Sequence, residues 1–271
     1  MQRPGKEGEM LGESQAGGIT RRSLLKAFAV APFSKEPLAA LFKEQEVAFN
    51  SSVLTYHQVT AARMTSDIVG LVRQGYQPLS LDTFISALNG DVTIPANLKT
   101  FLVTCDDGLA SQYSQGLAAI DVIEKQTGWF VPLTLFSLMR FEGLPLSMNE
   151  IPDTTPCFND RVHRYMNKAQ LVEMLQQGHY VENHTIDHMD LTRLSPGQRS
   201  AEVELGEARV DELWETAGRE RTCRAFAYPY GRSRGLADYI DSVGYDVAFT
   251  TVASTVQKSS QRYSLGRLSR S

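Results

Sequence analysis

The chain of 271 residues is 42% hydrophobic and 21% charged, a composition typical of a globular protein with one sizeable core. Its formal net charge of -4 and its pI of about 5.8 lack the basic excess of nucleic-acid-binding proteins. Three widely spaced cysteines, Cys105, Cys157 and Cys223, exclude a disulfide scaffold and a Cys-x-x-Cys metal site. We therefore expect one α/β domain that binds no nucleic acid and contains no disulfide bond.

The amino-terminal segment has the features of a leader. Residues 1–20 show no apolar periodicity and are predicted to be disordered. Arg21 and Arg22 precede a short apolar stretch that ends in Ala29-Val30-Ala31, a small-x-small pattern, and the whole resembles a twin-arginine export signal. The stretch is too short to span a bilayer, so we expect no stable membrane insertion of the mature chain.

We accordingly divide the chain into a leader over residues 1–45 and a folded domain over residues 46–271. An export signal predicts a periplasmic or secreted protein. Because Lys26 and Pro32 leave an unusually brief hydrophobic core, a retained amphipathic tail and a cytoplasmic location are the alternative.

Strand-type and helix-type patterns alternate along the folded domain. The apolar residues Met64, Ile68, Leu71 and Val72, for example, follow the spacing of one helix face. The predicted strands cover residues 53–57, 101–104, 130–138, 180–181, 225–228, 247–250 and 265–268. The predicted helices cover residues 64–72, 81–88, 117–123, 167–175, 195–217 and 235–243.

About seven strand-then-helix units favour a parallel α/β barrel, with a doubly wound open sheet as the alternative. Residues 140–166 contain three prolines and are predicted to be a long loop, of the kind that often covers the site of a barrel. In a barrel, the catalytic side chains come from the carboxyl ends of the strands.

Two adjacent carboxylates, Asp106 and Asp107, stand where a predicted strand ends, and Gly108 then turns the chain. Neighbouring carboxylates repel each other, so a cation or a proton is expected to accompany them. A plain surface turn is the alternative when this segment is considered alone.

His184 and His188 follow another predicted strand, and their spacing places both imidazoles on one side if the segment makes a helical turn. An isolated His-x-x-x-His is often only a pair of polar residues on a helix. Combined with the acids, however, two imidazoles and one carboxylate form the ligand set of a catalytic zinc site. The second carboxylate would then be free to act as a base.

Three motifs follow one another in the chain: Thr104-Cys105-Asp106-Asp107-Gly108, Asn183-His184-Thr185-Ile186-Asp187-His188 and Tyr228-Pro229-Tyr230-Gly231. Together they resemble the motifs of the polysaccharide deacetylases, the NodB-homology hydrolases of carbohydrate esterase family 4. Within that family the chain looks closest to the poly-N-acetylglucosamine deacetylases. The resemblance runs from about Val53 to Leu268. It implies a deformed (β/α)7-type barrel that removes N-acetyl groups from an aminosugar polymer with a divalent metal.

By this resemblance, Asp107, His184 and His188 would bind the metal and Asp106 would be the general base. The Tyr230 backbone N–H would help to hold the oxyanion. The ligand set suits Zn²⁺, with Co²⁺ or Ni²⁺ as alternatives.

The expected partner is an N-acetylated glycan, and Tyr228 and Tyr230, with Phe158 and Trp129, are candidates to stack on its sugar faces. The alternative for these aromatic side chains is a place in the core.

Two departures from the family pattern concern the residues that complete the reaction. The usual late histidine acid is absent, because no histidine follows His188. His57, at the end of the first predicted strand, is our candidate acid and resembles the Tyr-His of the poly-N-acetylglucosamine branch. Ala227 replaces the arginine that often opens the third motif, and Arg267 is our candidate substitute to keep Asp106 ionised.

Two other functions stay open at this point. An amidohydrolase for a small amide would use the same chemistry and predicts a closed pocket in place of an open groove. A glycan-binding protein that has lost catalysis is the other alternative, because the late histidine is missing. A bound divalent metal beside a free Asp106 would count against it.

Overall fold

The computed structural model describes residues 49–140, 150–152, 162–258 and 260–270. The predicted leader with its twin-arginine pattern lies outside the described residues, as do Cys157 and Phe158. Residues from 49 onwards belong to one compact unit, and Cys105 and Cys223 within it are free thiols. None of the described helices is both long enough and apolar enough to cross a membrane.

The strands and helices alternate as the sequence predicts. The strands are β1 (Asn50–Tyr56), β2 (Gln77–Pro78), β3 (Thr100–Asp107), β4 (Leu133–Ser137), β5 (Glu150–Pro152), β6 (Val162–Arg164), β7 (Tyr180–Asn183), β8 (Ala225–Ala227), β9 (Val247–Phe249), β10 (Val256–Gln257) and β11 (Leu268–Ser269). The helices are α1 (Ala61–Arg73), α2 (Leu81–Asn89), α3 (Ala110–Thr127), α4 (Lys168–Gln176), α5 (Pro196–Thr216) and α6 (Ala237–Val243). Two 3₁₀ turns, Leu191–Arg193 and Pro229–Gly231, follow β7 and β8.

Six parallel strands lie side by side in the order β1, β3, β4, β7, β8 and β9. β2 extends β3, and β10 pairs antiparallel with β1. The last segment joins the two ends of this row, because Leu265 bridges to Phe249 of β9 and Leu268 pairs with Leu54 of β1. The strand order follows the chain without the reversal of a doubly wound sheet. The predicted deformed barrel is therefore confirmed as a curled half-barrel.

The core explains why the strands read as continuous apolar runs. All eight residues of β3 are buried, and its apolar side chains belong to one cluster with Met64 and Ile68 of α1 and with Ile120 and Ile123 of α3. In a parallel strand that is covered on both faces, the side chains of both faces are apolar, so apolar and polar residues do not alternate along it. The central strand is thereby held rigidly, with its carboxyl end at the rim.

Two of the predicted helices begin at strong capping signals in the sequence. Asn167 with Gln170 and Ser195 with Gln198 form reciprocal capping boxes at the starts of α4 and α5. The segment from 140 to 166 differs from the predicted structureless loop, because β5 and β6 pair in it as a short antiparallel ladder. The prolines of this segment led to the prediction of a loop. Pro152 is nevertheless compatible with a strand, because it lies at the end of β5, where a missing N–H is tolerated.

Candidate active site

Polar side chains meet at the carboxyl ends of four parallel strands. His57 follows β1, and Asp106 and Asp107 end β3. His184–His188 follows β7, and Tyr228–Gly231 follows β8. The structure thus brings together the segments that the sequence predicted, at the rim where barrel enzymes place their catalytic groups.

Backbone strain is concentrated at this rim. Within the described part of the chain, the non-glycine residues with positive φ are Asp107 (74°), Thr185 (72°), His188 (56°) and Tyr230 (59°). The Cβ atom makes this region unfavourable, and such residues cluster at functional sites when the surrounding structure holds them in place. Gly108 is also left-handed (73°), and a Cβ there would lie 2.8 Å from Ser137 Oγ. The turn after the two acids therefore requires glycine.

Asp107, His184 and His188 form a compact set of three potential metal ligands. One ligand atom from each lies within 4.8 Å of the others. The Asp107 Oδ1 atom is 3.6 Å from His184 Nε2 and 3.8 Å from His188 Nε2. The helical turn expected for residues 184–188 is not formed, because Thr185 and His188 are left-handed in an irregular loop. That loop, and not a helix face, brings the two imidazoles to the same side.

The donor set fits a divalent cation. Both carboxylate oxygens of Asp107 are buried and lack a hydrogen-bond partner among the described residues, which is an unfavourable state for a carboxylate without a cation. His184 Nδ1 lies 2.8 Å from the Ala227 carbonyl oxygen, and a hydrogen bond there leaves Nε2 as the ligand atom. Burial and the neighbouring His184 lower the pKa of His188 to about 4, so its imidazole is neutral at pH 7. A neutral imidazole is the form that binds metal.

Asp106 has a different environment from its neighbour. Its two oxygens accept hydrogen bonds of 2.6 Å each from Nη1 and Nη2 of Arg267, whose side chain is almost wholly buried. Burial raises the pKa of Asp106, but the adjacent Arg267 guanidinium, together with His184 and His57, lowers it by more, so the pKa lies well below the usual range of a carboxyl. Arg267 is itself held, because its Nε donates to the Thr250 carbonyl (2.9 Å). The structure thus places Arg267 where the sequence predicted a substitute for the missing arginine.

His57 lies at the mouth of the site. Its Nε2 is 4.0 Å from Asp106 Oδ2, and its side chain is 38% exposed while that of Asp106 is 3% exposed. The imidazole can therefore meet both solvent and a bound molecule, with the buried carboxylate behind it.

Two residues whose roles the sequence did not reveal hold this arrangement. Gln112, in the first turn of α3, is fully buried and donates from Nε2 to the carbonyls of His57 (3.0 Å) and Asp106. Asn183 accepts from the Thr185 N–H (2.8 Å) through Oδ1 and donates from Nδ2 to the Tyr245 hydroxyl (2.6 Å). The Gln112 bond to His57 spans 55 residues, and the Asn183 bond to Tyr245 spans 62, so no local pattern indicates either contact.

The aromatic candidates separate into two groups. Tyr230 packs its ring against His188, with 4.6 Å between ring centres, and so borders the site. Tyr228 is 1% exposed and donates its hydroxyl to the Tyr263 carbonyl (3.1 Å), which places it in the core and out of reach of a glycan. Trp129 precedes β4 and lies at the opposite rim of the sheet.

Comparison with known families places these motifs in context. Residues 95–248 match the family model described as polysaccharide deacetylase. The chain belongs to this family. Members of the polysaccharide deacetylase family are hydrolytic deacetylases that act on C–N amide bonds, so this polysaccharide deacetylase is an enzyme of the class that the motifs implied.

Among curated proteins, this polysaccharide deacetylase is 24% identical over 250 residues to YxkH of Bacillus subtilis (strain 168), which carries the name of the same family. The match covers 89% of this chain and 78% of the relative. Two solved structures share the fold: Streptococcus pyogenes deacetylase PplD in complex with acetate (TM-score 0.61, 20% identity, 82% of this chain and 92% of that one) and IcaB from Ammonifex degensii (TM-score 0.61, 22% identity, 82% and 92%).

Proposed function

We propose that this chain is a metal-dependent hydrolase that removes N-acetyl groups from an aminosugar polymer. The observation that carries the proposal is the environment of Asp107, which is buried beside two imidazoles. Its two oxygens have no hydrogen bond within the described part of the chain, and the neighbouring Asp106 is paired with Arg267. The Asp107 carboxylate has the environment of a metal ligand, and the Asp106 carboxylate has that of a base kept ionised.

Asp107, His184 and His188 would hold the metal, for which Zn²⁺ is the first candidate and Co²⁺ and Ni²⁺ are alternatives. When bound, such an ion polarises the amide carbonyl and lowers the pKa of water, which is the help that a poorly electrophilic amide requires.

Two different side chains of this protein carry out the two proton transfers. Asp106 accepts the proton of the attacking water, and Arg267 keeps its carboxylate ionised for that purpose. The backbone N–H of Tyr230 donates to the oxyanion that forms on the carbonyl oxygen. His57, half-exposed at the mouth, protonates the departing amine nitrogen.

The expected location is periplasmic or secreted, because the leader pattern before residue 32 resembles an export signal. The substrate class, an N-acetylated glycan, is supported by membership of the family.

The proposal is tested by metal analysis and by acetate release from N-acetylglucosamine oligomers. We expect one divalent metal per chain and acetate release by the wild type. Asp106→Asn and His57→Ala should each lower kcat by roughly a hundredfold to ten-thousandfold, because each removes one proton-transfer group. Asp121→Asn, an exposed aspartate on α3, is the matched control and should retain full activity.

Each component can fail separately. A wild type that binds no metal would overturn the ligand assignment, and a fully active His57→Ala would place the acid elsewhere. Metal binding without acetate release would favour the glycan-binding alternative. Turnover of small acetamides but not of oligomers would favour the small-amide hydrolase.

A further inference from the structure

A cleft of about 750 Å³ opens beside the site, and two arginines contribute to its lining. Thr192, Arg232, Ser233, Arg234 and Gly235 line it. They come from the 3₁₀ turn that follows His188 and from the segment that follows Tyr230. We call this feature the arginine cleft.

The arginine cleft is adjacent to the candidate metal ligands. The Arg232 guanidinium lies 5.3 Å from the centre of the Tyr230 ring, whose centre is 4.6 Å from that of the His188 ring. One aromatic ring therefore separates the cleft from a metal ligand. A polymer whose acetylated unit sits at the site and whose chain continues past Tyr230 would place a neighbouring unit in the cleft.

The local charge is opposite to that of the whole chain. Arg193 and Arg232 both pair with Asp190, so two cations share one carboxylate. Arg234 is exposed and has no ion-pair or hydrogen-bond partner within the described part of the chain. Three arginines against one aspartate leave a net positive charge here, in a protein whose formal net charge is -4.

The donor groups match an oxyanion. A guanidinium presents several N–H donors in one plane, in the geometry that phosphate and carboxylate groups accept. The Ser233 hydroxyl, 3.5 Å from that of Ser264, adds a neutral donor at the same wall. A neutral sugar unit would give the Arg234 guanidinium no ionic partner.

We propose that the arginine cleft is a subsite for an oxyanion, phosphate or carboxylate, carried by a sugar unit next to the one that is deacetylated. This inference rests on the proposed function and narrows its substrate class to anionic N-acetylated glycans. Phosphate and carboxylate share the same recognition chemistry, and the test separates them.

The test compares three substrates: the N-acetylglucosamine tetramer, the same tetramer with one phosphate ester, and the same tetramer with one carboxylate. At low ionic strength, we expect at least one anionic tetramer to have a KM roughly threefold to tenfold below that of the neutral one, with similar kcat. The anionic tetramer with the lower KM identifies the natural group. Added salt should remove the advantage because exposed charges are screened.

Arg234→Gln should raise the KM of the anionic tetramer to that of the neutral one and leave the neutral tetramer unaffected. Arg73→Gln is the matched control, because Arg73 is an exposed arginine in the last turn of α1, away from the rim. The inference is overturned if all three tetramers have the same KM, or if the two variants behave alike.

A binding measurement separates this inference from the proposed function. Calorimetric titration of Asp106→Asn with the phosphorylated and carboxylated tetramers, with and without Arg234→Gln, needs no turnover. If the titrated variant binds with an affinity that depends on Arg234 while the wild type releases no acetate, the cleft is supported and the deacetylase is refuted. Acetate release by the wild type, together with an affinity that does not change in Arg234→Gln, would support the deacetylase and refute the cleft.

Discussion

Two adjacent carboxylates acquire different chemistry from their surroundings. Asp106 is paired with a buried guanidinium, while Asp107 faces imidazoles, and neither of its oxygens has a hydrogen bond from the residues that the structure describes. The left-handed backbone at Asp107 turns the second side chain away from the direction that a continuing strand would give it. Neighbours in sequence can therefore serve as a base and as a ligand.

The buried pair of Arg267 with Asp106 predicts a large loss of stability when one partner is removed. Arg267→Gln should lower the free energy of unfolding by roughly 3 kcal/mol, because the Asp106 carboxylate is left buried without its cation. Urea unfolding measures this. The double variant Arg267→Gln with Asp106→Asn should recover part of the loss, since the uncompensated charge is gone.

Arg232→Gln is the matched control for that experiment. Arg232 also pairs with an aspartate, but its side chain is 51% exposed, and an exposed pair contributes less than about 1 kcal/mol. Equal losses in the two arginine variants would contradict the distinction between the buried and the exposed pair.

His179, the residue before β7, predicts a pH dependence of stability. Burial and the nearby Arg219 lower its pKa to about 4, and its Nδ1 accepts the Leu133 N–H (3.0 Å). Because the folded pKa is below the unfolded value of about 6.5, the unfolded chain binds the proton first. Stability is complete above pH 6.5 and falls as the pH drops towards 4, by roughly 3 kcal/mol.

The measurement is urea unfolding at pH 7.5 and pH 4.5 for the wild type and for His179→Gln. Other titrating groups contribute to both proteins, so the difference isolates His179. The wild type should lose roughly 2 to 3 kcal/mol more than the variant on acidification. An equal loss in both would show that His179 does not stay neutral in the fold.

At the scale of elements, the loop that carries the histidines is shaped by its neighbours. Asn183, the last residue of β7, accepts the Thr185 N–H, and Thr185 Oγ1 accepts the His188 N–H (3.0 Å). These two bonds hold the left-handed residues in place. Helix α5 packs closely against the side-chain amide of Asn183, since a Cβ at Gly206 would lie 2.6 Å from Asn183 Oδ1.

Gly206→Ala should therefore destabilise the protein by roughly 2 kcal/mol, because α5 would press on Asn183. Metal affinity should fall with it, as the histidine loop loses its support. Thermal unfolding and metal titration measure the two effects.

Gly70→Ala is the control, because Gly70 also lies inside a helix, α1, and a Cβ there meets nothing within 4 Å. Helix propensity alone should make that variant about 0.5 to 1 kcal/mol more stable. A stabilised Gly206→Ala would contradict the predicted contact with Asn183.

At the scale of the whole molecule, closure of the half-barrel assembles the site. Leu265 bridges to β9 and β11 pairs with β1, and this last segment carries Arg267 to an aspartate 161 residues earlier in the chain. Ligands from β3 and from the loop after β7 meet across the intervening strand β4. A bound metal would therefore link segments that are distant in sequence.

Metal binding is expected to stabilise the folded protein by linkage. A divalent ion at a hundredfold excess over its Kd should add roughly 3 kcal/mol and raise Tm by roughly 5–10 °C. Differential scanning calorimetry with and without Zn²⁺ and a chelator measures the shift. Without metal, Asp107→Asn should be neutral or more stable than the wild type, because a buried carboxylate lacking hydrogen bonds is removed.

With metal, Asp107→Asn should show a much smaller shift in Tm than the wild type. Asp121→Asn serves again as the control and should behave as the wild type in both conditions. A metal-induced shift of full size in Asp107→Asn would remove that residue from the ligand set.

The sequence by itself determined the alternation of elements, the capped starts of α4 and α5, and the rim position of Asp106, Asp107, His184 and His188. Those features are local, because they depend on apolar period, turn chemistry and the place where a strand ends. The family followed from the same residues, since its motifs are short and contiguous.

Only the tertiary structure decided which carboxylate meets a cation, how residues 184–188 bend, and where the aromatic side chains point. Arg267 reaches Asp106 only when the sheet curls, and Asn183 shapes the histidine loop only when α5 and Tyr245 pack against it. Tyr228 and Tyr230 are two residues apart, yet Tyr228 lies in the core and Tyr230 borders the site. Such contacts join residues distant in sequence, so no local pattern records them.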